Sequence, residues 1–214
     1  MKFICRHWYN IGIIPALAAI IYLITGWNNL DFLVKVNLLS FIAILVHQFE
    51  EYSLPGGEPA IMNIVLQGSD MPDRYPLNQF SAMLTNVLVT YIVYLLPVFF
   101  PNIIWLGISP ILMGVSQFIV HGIITNIKMK SFYNPGLGAV VFLHFPLAYY
   151  YINCITTNNL ATSKDWLFGV IYLILIAGMI VNGLTYKLLP NKNTKYFFAE
   201  EEMKRFNVKK KIGL

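Results

Sequence analysis

The sequence predicts an all-α, polytopic membrane protein with a bundle of about six transmembrane helices. Of its 214 residues, 57% are hydrophobic and only 12% are charged, whereas a typical soluble domain carries about 25% charged residues. The mean hydropathy is +0.61. The apolar residues also fall in blocks of about 20, which is the length that a helix needs to cross a roughly 30 Å hydrocarbon core. This pattern excludes a disordered chain, a nucleic-acid-binding arm and an ordinary soluble domain.

Six apolar blocks are predicted to span the membrane and to form one domain over residues 1–190. The first block follows a basic start that resembles a signal peptide, but no small-x-small cleavage site follows it, so we expect an uncleaved span. The predicted spans cover residues 9–27, 32–52, 78–100, 102–126, 135–155 and 165–189.

The distribution of basic residues predicts the orientation of these spans. With the N-terminus in the cytoplasm, only Lys35 and Lys164 of the 15 basic residues fall in outer segments, as the positive-inside rule requires. Trp27, Trp105 and Trp166 then lie at outer span ends, where indole rings prefer the interface. We therefore expect both termini to be cytoplasmic and the protein to reside in the inner (cytoplasmic) membrane of the cell.

Two segments outside the spans are predicted to lie on the cytoplasmic side. The long loop (residues 53–77) is rich in Pro and Gly, and a long structured loop on a compact bundle is often a lid or a binding element. A plain connector is the equally weighted alternative. The C-terminal tail (residues 191–214) holds most of the excess positive charge, which beside a membrane span indicates contact with membrane lipids rather than nucleic acid.

A polar cluster at the inner end of the second span is the main functional signal. It has the sequence HQFEE, in which His47, Glu50 and Glu51 fall within one turn. At roughly 100° per residue, Glu50 lies about 60° to one side of the imidazole and Glu51 about 40° to the other. His121 on the fourth span reaches the same depth, since both spans run inward.

Other intramembrane polar side chains fall in the same half of the bundle. We predict that they surround the cluster. Two alternatives remain: the asparagines form hydrogen bonds between helices, worth around 0.6 kcal/mol each, and the His144 imidazole serves only in packing. These residues are Gln117, Asn126, Asn86, Asn182 and His144.

The two glutamates need partners, because ionised groups inside a membrane cost about 2.5 kcal/mol or more. Three solutions remain open. The carboxylates are able to bind a divalent metal together with the two histidines, to be neutral because burial raises a carboxyl pKa, or to reach interfacial basic residues. Those basic residues are Arg74, Lys128 and Lys130. In the first solution, a single zinc, iron or manganese ion is held by His47, Glu50, Glu51 and His121.

The chain resembles a family of bacterial membrane proteins that is defined by an H-x-x-E-E motif and whose function is uncharacterised. The resemblance covers roughly residues 30–150 and depends on HQFEEYSLPGG (47–57), on the later His121 and on YNPGL (133–137). Family members tend to carry an aromatic residue after the second glycine, where this chain has Glu58. The resemblance implies that the motif and the Asn-Pro-Gly turn are defining features, and it implies no reaction.

Three functions are compatible with the sequence. The first is a metal-dependent membrane enzyme, a hydrolase or isomerase of a lipid-like substrate. Its site would lie at the cytoplasmic leaflet boundary, with Glu50 and Glu51 as catalytic candidates. The long loop would cover the entrance. A metal-free isomerase is a variant of this hypothesis. The second is a small proton- or ion-coupled transporter or binding protein. The third is a non-catalytic membrane protein in which the cluster holds helices together. The sequence does not indicate an oligomeric state.

Overall fold

The computed structural model describes all 214 residues and confirms an all-helical bundle with six helices long and apolar enough to cross a membrane. Every predicted span corresponds to one of them, and the second coincides at both ends with its predicted range. The first begins seven residues earlier than predicted, since the helix already starts at Lys2. The six helices are α1 (Lys2–Gly26), α2 (Phe32–Tyr52), α4 (Gln79–Phe99), α5 (Ile104–Met129), α6 (Leu137–Thr157) and α7 (Ser163–Leu188).

Helix α2 lies at the centre of the bundle. In an 18-residue apolar stretch of each helix, the share of residues that are buried is 61% for α2, 17% for α1 and 11% for α7. Helices α1 and α7 therefore leave most of their apolar surface exposed, as expected for helices that are surrounded by lipid. The central position of α2 places the HQFEE run at its end among neighbouring helices rather than in lipid.

The long loop is folded rather than extended. It contains the short helix α3 (residues 58–66), which has an α-helical first turn, Glu58–Ala60, followed by the π-helical stretch Ile61–Leu66. The Asn63 side chain closes the loop, because its Nδ2 donates to the carbonyl oxygens of Pro72 and Leu77 at 2.8 Å each. Buried and internally bonded, α3 forms a fixed cover beside the end of α2.

The C-terminal tail packs back onto the long loop. It contains two short helices, α8 (Glu200–Lys204) and α9 (Val208–Lys211). The backbone N–H of Phe198 donates to the Asp73 carbonyl oxygen at 2.7 Å, and Gln79 Nε2 donates to Glu202 Oε2 at 3.0 Å. Val208 is only 1% exposed. The tail is therefore part of the same face of the bundle as the loop.

Wider, π-helical turns interrupt four of the membrane helices. They cover Val89–Tyr94 in α4, Ile119–Thr125 in α5, Val140–His144 in α6 and Ile176–Leu188 in α7. Such turns are rare and are frequent at functional sites. The stretches in α5 and α6 contain His121 and His144, so both histidines are presented from locally widened helix.

Candidate metal centre

Three of the predicted site residues meet inside the bundle and form what we call the His–Glu group: His47 and Glu51 of α2 and His121 of α5. Glu51 Oε1 lies 3.2 Å from His47 Nε2 and 3.3 Å from His121 Nε2. Their candidate ligand atoms all lie within 4.8 Å of one another. All three side chains are buried. Since His47 and Glu51 are four residues apart, one face of α2 supplies two of the three groups.

The His47 imidazole is oriented by the turn before α6. Its Nδ1 lies 3.1 Å from the carbonyl oxygen of Gly136, an atom that can only accept a hydrogen bond, so Nδ1 carries a proton. The other ring nitrogen, Nε2, then faces the Glu51 carboxylate. A backbone carbonyl on the far ring nitrogen is the arrangement found for histidines that ligate metals.

The His121 imidazole is oriented in the same way by Asn134. The Nδ2 group of Asn134 donates to the His121 carbonyl oxygen at 2.6 Å and to Asn126 Oδ1 at 2.8 Å. Its Oδ1 therefore accepts from His121 Nδ1 at 2.7 Å. Both histidines thus direct Nε2 to the same oxygen. The Glu51 carboxylate can accept hydrogen bonds from protons on the two Nε2 atoms, or it can bind a cation together with these two nitrogens.

Glu50 is not brought into the His–Glu group. Its Oε1 accepts hydrogen bonds from the Tyr133 hydroxyl at 2.7 Å and from the backbone N–H of Gly138 at 3.0 Å, and its Oε2 accepts from the N–H of Ala139 at 2.7 Å. The N–H groups in the first turn of a helix have no intrahelical partner. Glu50 satisfies two of them in α6, so its carboxylate serves that helix and not the predicted ligand set.

The five surrounding residues take different positions. Asn126 supports the group through Asn134, and Asn86 and Gln117 line a cavity beside it. The ring of His144 lies 5.8 Å from that of His47, and its Nε2 has no hydrogen-bond partner. Asn182 is exposed and donates to Ala177 of its own helix, so it lies outside the site.

The basic residues considered as partners lie elsewhere. Arg74 pairs with Asp73, and Lys128 Nζ donates to the Leu66 carbonyl oxygen at 3.4 Å. The ion-pair contacts of Glu51 are with the two histidines. The structure therefore does not show the third sequence-based solution, in which the glutamates reach cations at the interface.

A small cavity with both polar and apolar lining residues adjoins the group and measures about 110 Å³, which is room for several water molecules. Its polar lining includes Asn86, Gln117 and Tyr186, together with His47 and Glu51. The lining comes from α2, α4, α5 and α7 as well as from the long loop. His47 and Glu51 therefore face a space in which a small polar moiety fits.

Glu58 is a cavity residue that the site prediction missed. It is 4% exposed, its Oε2 has no hydrogen-bond partner, and it lines the same cavity as the His–Glu group. Burial, with the neighbouring charge of Glu51, raises the pKa of the Glu58 carboxyl well above its usual range. The sequence signal is a charged residue between Gly57 and Pro59, in a loop that is predicted to lie on the cytoplasmic side.

The fold and this group define a polytopic membrane protein with a buried His/Glu cluster that could hold a metal ion. The family model described as "Protein of unknown function with HXXEE motif" matches residues 38–151, more than half of the chain. The chain therefore belongs to the HXXEE family, and His47, Glu50 and Glu51 are its motif residues. No curated protein and no solved structure matches the chain.

Proposed function

We propose that the protein is a metal-dependent membrane enzyme that binds one divalent ion through His47, Glu51 and His121. The observation that supports this proposal is the orientation of the two imidazoles. Each Nδ1 is held by a carbonyl oxygen while each Nε2 faces one carboxylate oxygen. Two histidines and one carboxylate suit zinc in catalytic sites and also non-haem iron.

Hydrolysis is the reaction type that this arrangement supports best. Three protein ligands leave a coordination position for water or substrate, and a divalent ion there would activate water and polarise a carbonyl or phosphoryl oxygen. The side-chain amides of Asn86 and Gln117 line the adjoining cavity and would position the polar part of the substrate. Isomerisation would need a proton-transfer group, with or without the metal.

An apolar recess supports a lipid-like substrate. This recess, of about 360 Å³, lies between α1, α2 and α4 and is lined by Trp8, Leu45 and Val87. Gln48 lines the recess and donates through Nε2 to Asn86 Oδ1 at 3.3 Å, while Asn86 lines the smaller cavity beside the His–Glu group. One hydrogen-bonded pair of amide side chains thus connects the linings of the two spaces. We propose that a hydrocarbon chain occupies the recess and that its polar head reaches the cavity.

Metal analysis of the full-length protein in detergent tests the metal. Wild type is expected to contain about one zinc, iron or manganese ion per chain, and His47→Ala and His121→Ala should each lose it. His7→Ala is the matched control, because His7 stacks on Phe3 outside the site and should keep the metal. A wild-type protein that contains no metal and takes none up after dialysis would refute the proposal.

The enzymatic part needs a separate assay. Metal-loaded and chelator-treated protein are incubated with a panel of bilayer lipids, and the products are identified by mass spectrometry. Product formation that requires both the metal and His47 supports the enzyme. Ion-gradient-driven uptake into proteoliposomes, without any product, would instead favour the transporter alternative.

A further inference from the structure

The buried side chain of Glu58 has a carboxyl oxygen that no hydrogen bond holds in place. It is 4% exposed and its Oε2 has no hydrogen-bond partner. A carboxylate buried without a partner is costly, and such groups are normally paired or bound to a metal. Glu50 shows the contrast, because its carboxylate accepts three hydrogen bonds from Tyr133 and the start of α6.

The position of Glu58 relates it to the His–Glu group. Glu58 lines the same cavity as His47 and Glu51, and it lies outside the three residues whose ligand atoms converge within 4.8 Å of one another. The cavity wall therefore carries two carboxylates and no lysine or arginine. One divalent cation would balance the charge of both carboxylates.

The position of Glu58 is set by two segments outside the membrane helices, the long loop and the C-terminal tail. Gly57 precedes it with φ +112°, and a Cβ at Gly57 would lie 2.9 Å from Cβ of Phe206 and 3.0 Å from the carbonyl oxygen of Arg205. The C-terminal tail thus packs closely against the turn that precedes Glu58. Two segments far apart in sequence hold an unpaired carboxylate against the cavity.

From this geometry we infer that Glu58 is the second carboxylate of the metal site: it lies beyond the three ligands of the His–Glu group and balances the charge of the bound divalent cation from the loop side. The inference rests on the proposed function, since it requires that the His–Glu group binds a cation. It adds a carboxylate that lies outside the family motif, and it leaves the fourth coordination position of the proposed site free for water or substrate. It also gives the folded loop a role beyond covering the end of α2.

Metal titration of chelator-treated, full-length protein in detergent tests this inference, with Zn²⁺ for affinity and Co²⁺ for its ligand-field absorption. Glu58→Gln is expected to weaken Zn²⁺ binding by about 10-fold or more, the scale typical of lost metal-site residues, and to change the Co²⁺ spectrum. Glu50→Gln removes a neighbouring carboxylate that has other partners, and it should stay within about 3-fold of wild type. Glu58→Asp retains the charge and should fall between wild type and Glu58→Gln.

Thermal unfolding without metal separates this role from a structural one. Glu58→Gln should unfold at about the wild-type temperature, because glutamine has nearly the same size and Oε2 of Glu58 has no hydrogen bond to lose. If wild type binds neither ion, the proposed function itself fails. If wild type binds and Glu58→Gln binds equally well with the same Co²⁺ spectrum, only the role of Glu58 is refuted. If Glu58→Gln does not fold, an unchanged affinity of Glu58→Asp refutes it.

Discussion

The Glu50 carboxylate accepts a hydrogen bond from the backbone N–H of Ala139 at 2.7 Å and thereby joins the end of α2 to the beginning of α6. The next residue, Glu51, instead faces two imidazoles. The two glutamates of the family motif are adjacent in the chain, but one stabilises a helix start and the other belongs to the candidate metal centre. Substitutions at the two positions should therefore have different effects.

Glu50→Gln should reduce stability and leave metal content unchanged. The substitution removes the charge that favours the N-terminus of α6 and weakens hydrogen bonds that are worth about 1.5–3 kcal/mol each when one partner is charged. We expect a lower unfolding temperature in detergent with about one metal ion per chain. The exposed Glu201→Gln is the control. Loss of metal at an unchanged unfolding temperature would instead place Glu50 in the ligand set, as the sequence analysis predicted.

Asn134→Ala should weaken metal binding although Asn134 is not a proposed ligand. Its side chain holds the His121 ring by accepting from Nδ1 at 2.7 Å, and loss of such orienting partners typically costs 10- to 100-fold in metal affinity. Asn182→Ala is the matched control, because its amide bonds only within α7. Zn²⁺ titration of both variants measures the difference, and equal affinities would show that the Asn134 contact is unimportant for binding.

Gly136→Ala should disrupt the candidate site directly. A Cβ at this position would lie 2.6 Å from Cε1 of His121 and 3.0 Å from Cε1 of His47, on a backbone with φ +100°. Both rings would have to move, so we expect loss of metal and a lower unfolding temperature. Gly178→Ala in α7 meets no atom within 4 Å and should be neutral. A metal content equal to wild type in Gly136→Ala would contradict the geometry described here.

Arg205→Ala should loosen the cover formed by the long loop and the C-terminal tail. Arg205 Nη1 donates to the carbonyl oxygen of Tyr52, at the end of α2, and lies 3.5 Å from the Tyr9 hydroxyl. Limited proteolysis should cut the long loop several-fold faster in this variant. Lys210→Ala, at an exposed tail position, should be cut at the wild-type rate. Equal rates for all three proteins would show that the tail does not secure the loop.

The membrane helices could be predicted closely because their signal is local. The apolar run of α2 matches its observed bounds, and the four-residue spacing of His47 and Glu51 follows from helix geometry. The angle that separates Glu50 from His47 did not reveal which helix each carboxylate faces. That depends on the packing of α6, a contact between residues about 90 positions apart.

Glu58 and Asn134 show why the rest of the site was harder to predict. The position of Glu58 depends on a turn packed under the C-terminal tail, and the tail has no periodic pattern that indicates such packing. The sequence indicates Asn134 only as part of the Asn-Pro-Gly turn, and its hydrogen bonds to His121 arise from the fold of the connection between α5 and α6. Neither relationship is encoded in residues that are neighbours in sequence.

The order of the site residues along the chain also has a consequence for biogenesis. His47 and Glu51 enter the membrane with the second span and His121 with the fourth, but the groups that orient both imidazoles belong to residues 134–136, just before the fifth. During synthesis, about two thirds of the polypeptide must therefore be inserted before a metal ion can be captured in the proposed geometry. A nascent chain arrested before Asn134 would contain every ligand of the His–Glu group and still lack the assembled site.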